Sequence, residues 1–282
     1  MRCRWVLGGR GRDFGSVDEA VNRGALVGTA AGFGAMFALG EAGLTLTQSW
    51  PWIFALYALP ALVALAVVWR GVPETRPAAE VTPVKSRLIS SQLLALMGIV
   101  AVTGASNAMV WPLLMIFLQD SLGAGIEALA MAYLLAAILS SFLPSRMGHF
   151  ADRLGRKPLM VVGLVGGALA SALIPHLRSL LLLALLWAVE SVGYAASIPA
   201  ERAFVADIAG EDTRGTSYGL YTFAYFLGAL VGPIAGGWLY DTRGHATPFY
   251  LNSAVLLFGA LLVVLMLRES RRGEPARAGA VI

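Results

Sequence analysis

The sequence predicts an all-α integral membrane protein with eight transmembrane helices. Three observations carry this reading: the ratio of apolar to charged residues, a series of apolar runs of bilayer length, and a one-sided distribution of Lys and Arg. Hydrophobic residues make up 57% of the 282 positions and charged residues only 13%. Soluble domains carry about 25% charged and roughly 45–50% apolar residues. A chain of this length can bury a core, but it lacks the polar coat that water requires, so lipid must cover the outside.

A helix rises about 1.5 Å per residue and the hydrocarbon core is about 30 Å thick, so a span needs roughly 20 apolar residues. Such runs lie at 24–44, 52–70, 91–118, 126–145, 158–177, 179–205, 216–240 and 247–267. Lipid offers backbone groups no water partner, which makes helices the expected form. The breaks carry turn chemistry, as in Gln48-Ser49-Trp50-Pro51, Asp120-Ser121-Leu122-Gly123 and Asp241-Thr242-Arg243-Gly244. The longest polar interval, 71–89, holds Pro73, Pro77 and Pro83 and reads as a linker between two helical groups. If alternate breaks are assigned to one side, all but two of the 21 basic residues, Arg178 and Arg243, fall together. The positive-inside rule then places both termini in the cytoplasm of a cell membrane, inner or plasma, and makes the number of spans even.

The same pattern excludes other classes. A formal charge of +4 is spread over short breaks between apolar runs, so it reports topology and no nucleic-acid footprint. The single Cys3 rules out an intrachain disulfide and a cysteine-based metal site, and the separated His149, His176 and His245 form no ligand pair, so no metal or cofactor is expected. Gly215-Thr216-Ser217-Tyr218-Gly219 spells a hydrolase elbow but opens a membrane helix without a triad histidine, and no enzyme activity is expected. The first 23 residues are polar and hold no signal-peptide-like run.

The chain also repeats itself. Arg23-Gly24 followed by Gly28 opens the first span, and Arg214-Gly215 followed by Gly219 opens the seventh. Each copy continues through glycines (Gly40-Glu41-Ala42-Gly43; Gly232-Pro233-Ile234-Ala235-Gly236) into an aromatic-rich span entered at Trp50-Pro51-Trp52 or Thr247-Pro248-Phe249. Two helix pairs in the same orientation imply parallel halves related by an axis along the membrane normal.

Two motifs are sharper. Gly148-His149-Phe150-Ala151-Asp152-Arg153-Leu154-Gly155-Arg156-Lys157 sits in a break on the basic side. Its glycines allow a tight turn beneath packed helices. Asp152 suits backbone donors at a neighbouring helix N-terminus, and Arg156 and Lys157 suit acidic groups or lipid phosphates. The second motif runs Gly219, Gly228, Gly232, Pro233, Gly236 and Gly237, small residues that let a neighbouring helix approach, with a proline that kinks.

The first motif resembles the loop signature of the major facilitator superfamily, with His149-Phe150 standing where that family has small or aliphatic residues. The second resembles the family's antiporter-type glycine motif, though at the eleventh span in place of the fifth. The resemblance covers residues 22–272 and implies family spans five to twelve, a partial N-terminal bundle plus a complete six-helix C-terminal bundle. The expected divisions are a cytoplasmic arm 1–23, a helix pair 24–70, the linker 71–89, the bundle 90–272 and a tail 273–282. In that family spans one, four, seven and ten line the cavity, and the eleventh packs against the second. The glycine face Gly228, Gly232 and Gly236 is therefore expected to lack an intrachain partner, and the chain to be a truncated form of a twelve-span protein. Pseudo-symmetry also implies that Asp152 caps the first span near Gly24.

Ionisable groups inside a bilayer are expensive and mark functional positions. Trp187, Glu190, Ser191 and Tyr194 fall at helical spacing on one face, and a cavity-facing Glu190 suits a cationic substrate or a coupling proton. Gly104, Asn107 and Trp111 share a face of the third run, ahead of Pro112, and Glu41 lies near the outer end of the first. The expected activity is secondary active transport of a small molecule by alternating access, with efflux and proton coupling as the candidate form. The alternative is a transport-inactive remnant or membrane scaffold. Lipid is the expected surroundings, and self-association is expected if Met1 is the true start.

Overall fold

In a computed structural model, the chain is described over residues 9–72, 90–209 and 213–269, apart from the side chains of Leu46, Ile126 and Glu127. The expected linker and tail lie largely outside these residues. Among the described residues nine α-helices follow in order: α1 (Arg10–Glu41), α2 (Leu46–Gly71), α3 (Ser91–Leu122), α4 (Ile126–Phe142), α5 (Pro144–Leu154), α6 (Arg156–Leu173), α7 (Leu180–Ile208), α8 (Arg214–Arg243) and α9 (Thr247–Met266). Seven of them are long and apolar enough to cross a bilayer, and the bent α4–α5 pair makes an eighth. No strand is present among the described residues.

Local chemistry explains the breaks. The Ser90 hydroxyl accepts from the Leu93 amide at 3.1 Å and starts α3, while Gly123 ends it at φ +61°, a left-handed conformation natural to glycine. The apolar run expected to cross as one helix at 126–145 instead bends by 55° between α4 and α5. Pro144 stands at the bend: it has no amide to donate to the preceding turn, so the hydrogen-bond ladder is broken there although Leu143 keeps near-helical dihedrals. As a result Gly148 to Leu154, expected as a loop, belong to the helix α5, and the tight turn is confined to Gly155 at φ +106°. α1 likewise starts at Arg10, so most of the stretch expected as an arm is helical.

The chain divides into two compact units. The smaller, Val21–Ser86, holds most of α1 and all of α2. Its two helices meet where Tyr57 crosses to α1, its hydroxyl donating to the Gly28 carbonyl at 2.9 Å over the bare surface of Gly32. Most α2 side chains, including Trp52, Phe54, Leu59 and Trp69, are exposed and apolar, as lipid contact demands.

The larger unit carries the start of α1 and the bundle α3–α9. Within it α3 lies against α8 and α9, α6 against α7 and α9, and α4 against α7. One apolar cluster gathers Leu93, Leu96, Met160, Phe204 and Val263; a second gathers Leu114, Leu118, Leu129, Trp187 and Phe249. A chain of hydrogen bonds joins three helices. Ser106 of α3 donates to Asn252 of α9 at 2.7 Å, Asn252 donates to Ser171 of α6 at 3.1 Å, and Ser171 donates to the Phe249 carbonyl at 2.9 Å. All three side chains are buried, and an unmade bond there would leave a polar group stranded in an apolar interior.

The α3–α8 contact corrects one expectation. Gly228, Gly232 and Gly236 do have an intrachain partner: a Cβ on them would overlap the backbone at Ala101, Ala105 and Met109 respectively. Positions i, i+4 and i+8 form one stripe, and successive turns of α3 sit directly on it. Gly219 and Gly237, from the same motif, face open space. α8 continues through Pro233 as one helix.

Gly232→Leu should therefore force α3 and α8 apart and lower stability by about 1–3 kcal/mol, the usual cost of overpacking. Thermal unfolding of the detergent-solubilised protein should show the loss, and Gly237→Ala, which meets nothing within 4 Å, should leave the midpoint unchanged.

Candidate functional site

Two neighbourhoods in the larger unit collect the polar side chains. The first is the corner where α5 turns into α6 beside the first turns of α1. Helix N-termini leave backbone amides unpaired and carry partial positive charge. The buried Asp152 carboxylate answers both: Oδ1 accepts from the Gly11 amide and Oδ2 from the Arg12 amide, each at 3.0 Å. The cap thus falls at Gly11 and Arg12 and not near Gly24, because α1 begins two turns or more before the apolar run. The approach depends on bare backbone on both sides. A Cβ on Gly11 would overlap the Gly148 carbonyl, one on Gly148 the Gly11 carbonyl, and one on Gly15 the Pro144 carbonyl.

Charged side chains close around this contact. Arg156 pairs with Asp152 one turn away and, through Nε, with Asp207 of α7 at 3.2 Å. Arg10 pairs with the other oxygen of Asp207 at 2.7 Å and donates to the Ala206 carbonyl at 3.1 Å. The Glu269 carboxylate accepts from the Arg156 amide, and Lys157 donates to the Val264 carbonyl at 2.6 Å. Gly155 sits against Glu269, where both its φ and the space forbid a side chain. Arg153 is exposed. Further along α1, Glu19 accepts from the Ser145 amide at 2.9 Å and its hydroxyl at 2.6 Å, while Asp18 pairs with Arg202 of α7. The sequence reading had Gly148, Asp152, Gly155, Arg156 and Lys157, but not Arg10, Asp18, Glu19, Arg202, Asp207 or Glu269. The spacing Gly11-x3-Gly15 was the one available signal for a close helix contact there.

The second neighbourhood is the face formed by α3, α4, α7 and α8. Only half of the predicted α7 stripe points outward. Trp187 is buried, its ring edge-on to Tyr133 with centroids 5.5 Å apart, and Ser191 is buried and donates to the Ala188 carbonyl at 2.7 Å. Glu190 is half-buried within electrostatic reach of Tyr133 and Tyr194, and Tyr194 remains 41% exposed. Tyr225 of α8 joins them, its ring filling the space that Gly104 leaves on α3. About 16 Å along α7, by helical rise, Glu201 accepts from the Tyr221 hydroxyl at 2.8 Å, and the next residue, Arg202, takes a bond from the Tyr218 hydroxyl at its carbonyl. Five tyrosines and two carboxylates thus share this side of the bundle. Glu201 and Tyr221 escaped the sequence reading because their pairing joins α7 to α8, which no spacing within one helix reveals. Asn107 is half-buried and Trp111 is 69% exposed on α3. Glu41 is exposed at the end of α1 in the smaller unit. No group of three His, Cys, Asp or Glu able to hold a metal occurs among the described residues.

Comparison with known proteins places these features. The family model of the Major Facilitator Superfamily matches residues 96–281. Multi-drug resistance efflux pump PmrA of Streptococcus pneumoniae is 30% identical over 177 residues, covering 59% of this chain and 42% of the relative. Multidrug resistance protein MdtG of Dickeya zeae is 31% identical over 183 residues, covering 62% and 43%. Tetracycline resistance protein, class C, of Escherichia coli is 27% identical over 187 residues, covering 66% and 47%. The match spans less than half the length of each of these relatives.

Replacing Asp152 by Ala removes the acceptor of two backbone amides and leaves Arg156 short of a partner. The penalty of an unsatisfied group is about 1–3 kcal/mol. Hydrogen exchange at Gly11 and Arg12 should accordingly speed up by tenfold or more, while exchange in α9 stays as it is.

Proposed function

Because the chain belongs to the Major Facilitator Superfamily, whose members are transporters, we propose that it acts in secondary active export of a small apolar molecule. The observation that carries this reading is Glu190, a carboxylate half-buried within a wall of Tyr133, Tyr194 and Tyr225 on a face left open by the bundle. A desolvated carboxylate must either find a cation or take up a proton. Both responses serve transport, since one recognises a cationic substrate and the other couples its movement to a proton gradient. The aromatic rings supply contact that tolerates many apolar shapes, and Asn107 and Trp111 lie about one and two turns from Gly104 on α3. The relatives, two named for multidrug resistance and one for tetracycline resistance, support a substrate of this kind.

Alternating access needs a contact that holds in one state and opens in another. The Asp152 cap on α1, with Arg156, Asp207 and Arg10 around it, suits that role. Its bonds to α1 are few, and those of Asp152 and Asp207 end on Arg10, Gly11 and Arg12 in the first turn of that helix. On this reading the two basic termini and the α5–α6 corner lie on the cytoplasmic side, and the chain works as part of a twelve-span protein.

Two substitutions in the full protein test the reading, with export of a lipophilic dye from an efflux-deficient bacterium as the readout. Glu190→Gln should reduce export at least tenfold and flatten its dependence on pH; export with an unchanged pH profile would remove Glu190 from the mechanism. Asp152→Asn should slow export while dye binding to the purified protein stays within about twofold, since the cap acts on the change of state and not on the cavity. A well-folded protein that binds no dye and exports none would favour a scaffold over a transporter.

A further inference from the structure

His149 and Phe150, the two positions at which the α5 motif departs from the family pattern, have no part in the cap around Asp152. Both line a cavity of about 520 Å³ together with Arg12, Ser145 and Arg146. Arg146 and His149 stand one turn apart on the same face of α5. Arg12 enters from the start of α1, and Phe150 contributes a half-exposed ring. Among the described residues the lining therefore holds two guanidinium groups, an imidazole, a hydroxyl and an aromatic wall, and no carboxylate.

The neighbouring acids are committed elsewhere. Asp152 is buried against the Gly11 and Arg12 amides and Arg156, and Glu19 is buried against Ser145. Arg146 spends one N–H on the Phe142 carbonyl at 3.0 Å, which orients its guanidinium while four donors stay available. Among the described residues the Arg12 guanidinium has no acceptor, while its own backbone is held fast by Asp152. Two guanidinium groups around one hollow, with the neighbouring carboxylates engaged elsewhere, suit an anion, and guanidinium forks match phosphate oxygens. The apolar neighbours decide which phosphate. Phe142, Phe150 and Leu154 are exposed around the same helix turns, where the apolar α4 gives way to the polar α5. A free phosphate has no use for them, whereas a phospholipid lays its chains there.

We propose that this cavity is a binding site for the phosphate of an anionic phospholipid, with Arg12, Arg146 and His149 on the headgroup and Phe150 against the acyl chain. The site joins the first turns of α1 to α5, so an occupied cavity adds a bridge across the contact that Asp152 makes. It depends on the membrane placement of the helices and not on the transport reading.

Native mass spectrometry of the full protein in neutral detergent tests this, with phosphatidylglycerol and phosphatidylcholine added in parallel. One phosphatidylglycerol should be retained preferentially. Arg12→Gln and Arg146→Gln should each weaken retention about fivefold, the usual effect of one Arg near an anionic lipid, His149→Gln should weaken it less through loss of a hydrogen-bond donor, and the triple variant should abolish it. Arg146→Lys should retain much of it, and Arg243→Gln, which lines a different cavity, should change nothing. Equal retention of phosphatidylcholine, or undiminished retention in a triple variant of normal thermal stability, overturns the site. Displacement of the lipid by millimolar inorganic phosphate overturns the lipid as occupant and assigns the cavity to a soluble phosphate. Dye export is not a readout here, so a failed transport assay leaves this result unaffected.

Discussion

Close helix approach is the constraint on which the rest of this structure depends. Lipid tails are as apolar as leucine, so burying leucine between two membrane helices gains little over leaving it in the bilayer. What remains is dispersion between backbones that come near enough, and a few hydrogen bonds. In this chain nearness is obtained by glycine. The Gly228–Gly232–Gly236 stripe lets α3 lie on α8, Gly163 and Gly193 back onto each other between α6 and α7, and Gly11, Gly15 and Gly148 bring α1 against α5. Remove those hydrogens and the bundle has no way to reach contact distance.

From that approach the polar chemistry follows. Once α1 and α5 touch through bare backbone, Asp152 reaches two amides of a helix start without stretching, and Arg156 can serve two carboxylates from one position. Once α7 and α8 touch, tyrosines on α8 meet Glu201 and the Arg202 carbonyl. The same logic holds inside the bundle, where Ser106, Asn252 and Ser171 bond across three helices. Each of these contacts is local and directional, so each can open without unravelling a large apolar core.

Two of the carboxylates of α7, Glu190 and Glu201, sit in different surroundings. Glu190 faces open space beside aromatic rings, while Glu201 is tied to Tyr221 and lies next to an arginine that is itself paired with Asp18. A group held by a hydroxyl and an adjacent cation is suited to hold helices together. The difference between the two comes from their neighbours and not from their chemistry, which is identical.

The sequence by itself determined the class, the number of spans, the family and the existence of the Asp152 motif. These depend on composition, run length and spacing along a single helix, and the bilayer imposes them on each segment separately. Only the tertiary structure decided which helix faces which. The glycines of α8 could be read as a packing stripe, but that α3 fills it required the fold. The α7 stripe could be read as one face, but that Trp187 and Ser191 turn inward while Glu190 and Tyr194 stay accessible depended on where α4 lies. The cap at Gly11, the Asp207 and Glu269 bonds to Arg156 and the cavity beneath His149 all join residues more than fifty positions apart or on separate helices. Periodicity reports only what a helix presents; distance between helices is set by mutual packing, and packing is a property of pairs.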